Sequence, residues 1–195
     1  MSSLRVGIFG GTFNPVHTGH LVLAESARDQ LSLDRVIFIP AAHPPHKPVS
    51  GLVAGPSRLR MVRLAIRDHA GFAASDIELA RTGPSYMLDT VKELRVSLPG
   101  ARLFLLIGGD MLKVRWMGWA ELKRLCAIAV VDRPGVRVPA QRGLTRVQMP
   151  GIAISSSDIR ERVAAGRSIR YLVPAPVERY IRQHHLYATR EDQRR

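Results

Sequence analysis

Apolar residues gather in short unbroken runs, separated by stretches in which they recur every three or four positions. The runs "LRVGIF" (4–9), "RVIFIP" (35–40), "ARLFLLIGG" (101–109) and "CAIAVVD" (126–132) read as buried strands, with "DIELA" (76–80) as a shorter one. Helical spacing predicts a helix over 18–31 and a second opening near Pro56 with Leu59, Val62 and Ile66 as its apolar stripe. Further helices are predicted over 85–98, closed by Pro99-Gly100, in a stretch around Trp116 and Trp119, over 154–166, and at the end with Val177, Tyr180 and Ile181 on one face. Between the second strand and second helix lies a long proline- and glycine-bearing loop, 41–55.

Strands that alternate with helices and are apolar throughout predict an α/β fold: a central parallel sheet with helices on both faces and a small C-terminal helical part. Residues 1–188 are expected to form a single domain and 189–195 a solvated tail. Ligands in such folds bind beyond the carboxyl ends of the strands. The segments 10–17, 40–48 and 108–110 leave strand ends and are expected to line one crevice.

Composition fits this picture: of 195 residues, 46% are hydrophobic and 23% charged, as in an ordinary globule. No apolar stretch approaches the roughly 18 residues of a membrane span, and the N-terminus lacks signal-peptide organisation, so a cytoplasmic protein with no membrane partner is expected. Cys126, the single cysteine, lies in "LCAIAVV" and reads as a buried, inert thiol. The net charge of +13 raises the question of nucleic acid. Residues 132–195 hold thirteen arginines, no lysine and six acids. They show no finger spacing, aromatic RNA signature or basic–heptad pairing, and a basic surface for small phosphorylated substrates explains the charge as well.

The chemistry concentrates in "GIFGGTFNPVHTGH" (7–20). Gly10 and Gly11 allow close backbone approach to a ligand, and a helix starting near Thr18 directs unbonded N–H groups and its positive end into the same space. His17 and His20, three apart, project to one side and can donate to phosphoryl oxygens. The pattern is neither a dinucleotide fingerprint nor a P-loop, and HxxH without a third ligand is weak as a zinc site, so no protein metal site is expected. Downstream, "ISSSDIR" (154–160) supplies N-capping serines, Ser155 to Ser157, with Arg160 one turn in, which reads as a second anion site.

These two stretches resemble the paired signatures of the nucleotidylyltransferase superfamily, HxGH and ISSTxIR. With "PPHKP" (44–48), "SRLRM" (57–61), "DIELARTGPSYMLDTV" (76–91), "IGGD" (107–110) followed by two tryptophans, "RPG" (133–135) and "YLVP..V..YI....LY" (171–187), the chain is similar to the bacterial nicotinate-nucleotide adenylyltransferases along nearly its whole length. The resemblance implies a Rossmann-like nucleotidyltransferase fold and transfer of the adenylyl group of ATP to nicotinate mononucleotide in NAD biosynthesis, with Mg²⁺ carried mainly by the ATP phosphates. It implies catalytic roles for His17, His20, Lys47 and Arg160. ATP would be bordered by Gly10, Gly11, Thr12, Phe13, Gly108, Asp110, Arg133, Ile154, Ser155 and Ser156, with Gly108 and Asp110 by the adenosine. Nicotinate mononucleotide would meet Asn14, Lys47, Ser85, Tyr86, Met87, Asp89 and Trp116. Three positions depart from the family's usual pattern: Asn14 stands for aspartate, Ser157 for threonine, and Met87 for threonine. Another adenylyl- or cytidylyltransferase such as phosphopantetheine adenylyltransferase, a nucleotide-binding regulator without turnover, and a nucleic-acid binder are the rival readings. A homo-oligomer is compatible with all of them.

Overall fold

The computed structural model describes residues 3–44, 51–131 and 143–188. Its six strands, β1 (Arg5–Gly11), β2 (Arg35–Pro40), β3 (Phe72–Ala74), β4 (Arg102–Gly108), β5 (Ala127–Val131) and β6 (Leu144–Val147), form one sheet in the order β3-β2-β1-β4-β5-β6. Every pairing is parallel. The helices are α1 (Thr18–Gln30), α2 (Gly55–Ile66), α3 (Met87–Ser97), α4 (Trp119–Leu125), α5 (Ser156–Ala164) and α6 (Ala175–Gln183).

Side chains alternate across the sheet, so each strand feeds two cores. Val6 and Ile8 of β1 with Leu103, Leu105 and Ile107 of β4 pack with Leu88, Val91 and Leu94 of α3 and Leu122 of α4. Phe9, Phe104, Leu106 and Val131 face the other way, onto Leu23 and Ala27 of α1, Val62 of α2, Ile159 of α5 and Val177 of α6. The strand order reverses between β1 and β4, and a crevice opens beyond their carboxyl ends, where open α/β sheets bind ligands.

The structure corrects two strand expectations. "DIELA" is a turn, not a strand; its Leu79 and Ala80 N–H groups both bond the Asp76 carbonyl. The third strand comes just before it, in the three-residue segment Phe72–Ala74, which pairs with β2. β6 went unpredicted because, of its four residues, only Val147 is buried. The stretch around the tryptophans divides into a 3₁₀ turn, Gly109–Lys113, and α4. At the head of α4 Gly118 has φ 64°, and Leu88 packs where a Cβ would stand, so both conformation and space call for glycine. No helix among the described residues is long and apolar enough to cross a membrane.

Candidate active site

β1 ends at Gly10–Gly11, and the chain reaches α1 through a buried turn with φ 47° at Phe13 and a cis Asn14–Pro15 peptide. The Phe13 side chain belongs to the core, edge-on to Phe9 (5.4 Å) and His20 (5.1 Å), so it presents only backbone outward. Two buried polar side chains brace the turn from behind. Arg58 donates from Nη1 to the Thr12 carbonyl and from Nε to the Val53 carbonyl, both at 2.8 Å. Asn14 donates from Nδ2 to the Gly51 carbonyl (3.1 Å), while its Oδ1 accepts from the Val53 N–H (3.2 Å) and the Tyr187 hydroxyl (2.8 Å). A carboxylate at position 14 could not make the bond to Gly51, so the amide is matched to its partners. Burial pushes the Tyr187 phenol above its ordinary range and the Arg58 guanidinium below its own.

His17 is the N-cap residue of α1 and 2% exposed. Its ring stacks on that of His20 at 3.6 Å, which places the two imidazoles side by side as their spacing predicts. His20 Nδ1 accepts the His17 backbone N–H (3.1 Å), so in the neutral ring Nε2 carries the proton and is the donor nitrogen. His20 and His17 line different hollows. His20 faces a cavity of about 280 Å³ between the ends of β1 and β4. His17 lines a neighbouring pocket of about 240 Å³ with Gly19, Ile154, Ser155 and Asp158.

The smaller pocket is set between two helix starts. Ser155 caps α5 by accepting the Asp158 N–H at 3.1 Å, and no acceptor among the described residues takes the N–H of Gly19, Ser156 or Ser157. Unbonded N–H groups at two converging helix ends favour an anion there. The Ser156 hydroxyl and the Arg160 guanidinium do not line the pocket. Ser156 Oγ donates to the Pro15 carbonyl (2.8 Å), and Arg160 Nη1 donates to the Asn14 carbonyl (2.9 Å) and Nη2 to Ser157 Oγ (3.3 Å). They fasten α5 to the turn that carries the histidines.

The larger cavity brings together Gly10, Gly11, Thr12, Ala41, Pro44, Ser85, Tyr86, Met87, Gly108, Asp110 and Trp116. Residues expected around adenosine and around the pyridine thus line one continuous space. Its pyridine side is closed by the start of α3. Tyr86, the N-cap residue, gives α3 no side-chain cap; the Ser85 N–H bonds the His43 carbonyl (3.1 Å) and the Tyr86 N–H the Pro84 carbonyl (3.1 Å). The N–H groups of Met87 and Leu88 have no acceptor among the described residues. The Met87 methyl lies over Gly10, where any Cβ would collide with it. Trp116 Nε1 donates to the Met111 carbonyl (2.9 Å), which sets its ring as a wall beside Trp119, 5.7 Å away.

Asn14 and Asp89 line neither hollow: Asn14 is interior, and Asp89 is exposed on the first turn of α3. Lys47 and Arg133, and the tail 189–195, lie outside the described residues. The sequence reading missed Arg58, Glu78, Thr90 and Tyr187. Arg58 carried a signal, since it precedes Val62 by four and Ile66 by eight and therefore shares their buried stripe. Cys126 is buried as expected, its thiol pushed up to about 11 by desolvation.

The chain matches the family described as "Cytidylyltransferase-like" over residues 8–162. A protein of Geobacter sp. (strain M21) is 42% identical over 212 residues, covering 94% of this chain and 98% of its own. One of Exiguobacterium sibiricum is 46% identical over 190 residues, covering 95% and 100%. Both carry the name "Probable nicotinate-nucleotide adenylyltransferase". Among solved structures, the Plasmodium falciparum nicotinic acid mononucleotide adenylyltransferase complexed with NaAD superposes with a TM-score of 0.80 at 16% identity, covering 94% of this chain and 97% of that one. That likeness establishes a shared fold.

Proposed function

We propose, since the chain belongs to the cytidylyltransferase-like family and within it to the nicotinate-nucleotide adenylyltransferases, that it transfers the adenylyl group of ATP to nicotinate mononucleotide, giving nicotinate adenine dinucleotide and pyrophosphate. The observation that carries the reading is two hollows joined at the stacked pair His17–His20, one set between two helix starts and the other closed by the unbonded N–H groups of α3. The triphosphate would occupy the first, with the α-phosphate at the histidines. The mononucleotide would occupy the second, its pyridine against Trp116 and its carboxylate on the Met87 and Leu88 N–H groups, where the helix dipole adds to the attraction. Ser85 and Tyr86 have already committed their N–H groups, which leaves those of Met87 and Leu88 for the carboxylate.

An oxygen of the mononucleotide 5′-phosphate attacks the α-phosphorus, and the bond from that phosphorus to the bridging oxygen of pyrophosphate breaks. The nucleophile is ionised at neutral pH, so no proton need be abstracted and no covalent intermediate forms. Alignment and charge stabilisation remain for the protein to supply. His20 Nε2–H and His17 would donate to the α-phosphoryl oxygens; Gly19, Ser156 and Ser157 N–H groups would hold the leaving pyrophosphate. Arg160 keeps three N–H donors beyond its two bonds and adds positive charge. Lys47 and Arg133 are assigned their phosphate and nucleotide roles by the resemblance alone.

Mg²⁺ on the triphosphate would neutralise phosphate charge. Asp158 is the carboxylate that lines the smaller pocket, and it would meet the ion directly or through water beside the triphosphate oxygens. The test is a panel of acceptors with ATP and Mg²⁺, read by pyrophosphate release. Release should depend on nicotinate mononucleotide; release with phosphopantetheine instead would move the chain to another acceptor class.

A further inference from the structure

Glu78 has no part in the mechanism above, yet it is a buried carboxylate in the wall of the substrate cavity. It is 2% exposed, sits in the turn after β3, and lines the same space as Ser85, Tyr86 and Met87. An ionised group in such a place must be fully bonded to persist. The Thr90 hydroxyl donates to Glu78 Oε1 at 2.7 Å and accepts from Arg81 Nη2 at 3.1 Å, while Arg81 Nη1 donates to Glu93 at 2.6 Å. Thr90 is itself wholly buried on α3. A chain of polar contacts therefore runs from the surface pair to Glu78, with the Arg81 charge answering its own.

Ser85 supplies the second partner. Its oxygen accepts the N–H groups of Ala42 (2.9 Å) and His43 (3.2 Å), which uses both lone pairs and leaves the hydroxyl proton to be donated. Burial pushes the Glu78 carboxyl up, and the Thr90 hydroxyl, the Arg81 charge and the Ser85 hydroxyl oppose that push by favouring the ionised form. Ser85 thus keeps a hydroxyl proton to offer the carboxyl that already accepts from Thr90, and both residues line or flank the same wall. Through Ser85 that group ties the segment leaving β2 to the residue before the α3 N-cap, and through Thr90 it ties the first turns of α3 itself.

We propose that Glu78 is a positioning residue for the acidic half of the mononucleotide: it sets Ser85 and Thr90, and through them the Met87 and Leu88 N–H groups that receive the carboxylate. The inference rests on the reading of the larger cavity as the mononucleotide site. Glutamine at this position keeps the volume but offers one acceptor oxygen and an NH₂ group. Ser85 has no lone pair left for that NH₂, so one of the two ties is lost.

The test is steady-state kinetics on the full chain with ATP, Mg²⁺ and nicotinate mononucleotide, for the parent, Glu78→Gln, Ser85→Ala and the double variant. Glu78→Gln should raise KM for the mononucleotide on the order of 10-fold, as expected for one mismatched buried polar contact, and leave KM for ATP within about twofold. Ser85→Ala should act in the same direction. The double variant should be no worse than the more impaired single one, because both cut the same tie. Equal rises in both KM values, or additive effects in the double variant, would overturn the inference. If Glu78→Gln gives no cooperative melt, Ser85→Ala decides through the same split between the two substrates. A parent that releases no pyrophosphate with this acceptor would instead overturn the proposed function.

Discussion

His20 uses its two ring nitrogens for different tasks, and two substitutions separate them. Nδ1 accepts the His17 N–H at the head of α1; Nε2, which carries the proton of the neutral ring, is the proposed donor to the α-phosphate. His20→Asn keeps an acceptor oxygen near the Nδ1 position and places nothing at Nε2. His20→Gln reaches an N–H toward the Nε2 position and gives up the short-range acceptor. Loss of one donor to a developing oxyanion lowers kcat about 10²- to 10³-fold, or about 2.7–4 kcal/mol. Loss of a helix-start acceptor costs about 0.5–2 kcal/mol. In a chain of 195 residues, each kcal/mol moves Tm by about 2–4 °C. His20→Asn should therefore lose activity by that factor with little change in Tm, whereas His20→Gln should melt about 1–8 °C lower and keep kcat within about tenfold. KM for ATP should change by less than about threefold in both, because the donor matters most as charge develops. Pyrophosphate-release kinetics and thermal melts on the same preparations measure all of this. A His20→Asn variant with near-parent kcat beside an inactive His20→Gln would refute the assignment of the two nitrogens.

Asn14→Ala strands the buried Tyr187 hydroxyl and Val53 N–H and should cost about 2–4 kcal/mol, more than Tyr187→Phe at about 0.5–1.5 kcal/mol; additive losses on combining the two, read by denaturant unfolding, would show that the contact does not couple them. Met87→Thr should change the ratio of kcat/KM for nicotinate over nicotinamide mononucleotide by less than about tenfold, since position 87 acts through its backbone N–H; a larger jump would give the role to the side chain. Cys126, buried with its thiol pushed up to about 11, should react with a thiol reagent at pH 8 far faster in denaturant than in the native state, and equal rates would contradict its burial. Burial raises the Glu78 carboxyl above its ordinary 4.5, so its contribution to stability is full below that pH and declines as pH rises through the raised value. The Tm advantage of the parent over Glu78→Gln should shrink from pH 4.5 to 7, and growth would contradict the sign.

Where burial decides the backbone, the pattern of the chain was readable. β1, β2, β4 and β5 are apolar on both faces because helices cover both, and a run such as "RLFLLI" has no other soluble home. Edge strands escape this logic. β6 exposes Thr145 and Arg146 and fully buries only Val147, and β3 is three residues long, too short to show a pattern, so neither announces itself by hydropathy. "DIELA" misled for a related reason: Ile77 and Glu78 are drawn inward from a turn, Glu78 with a hydrogen bond from Thr90 that a hydropathy pattern cannot register. At the site, the glycines, the histidine pair and the serine cap could be read because their spacing relative to helix starts carries the chemistry. Less legible is that the side chains of Asn14, Ser156 and Arg160 brace the turn, since a side-chain donor serves a backbone carbonyl as readily as a phosphate and sequence does not distinguish them.

The claim on which everything else depends is that an acidic mononucleotide is adenylylated with its carboxylate on the Met87 and Leu88 N–H groups. Its most direct measurement is kcat/KM for nicotinate and nicotinamide mononucleotides, under identical ATP and Mg²⁺, on the parent chain. A carboxamide must turn its NH₂ toward one of those donors, a mismatch of about 1–3 kcal/mol, so the acid should be favoured about 5- to 150-fold. Equal use of the two mononucleotides, or preference for the amide, would contradict it.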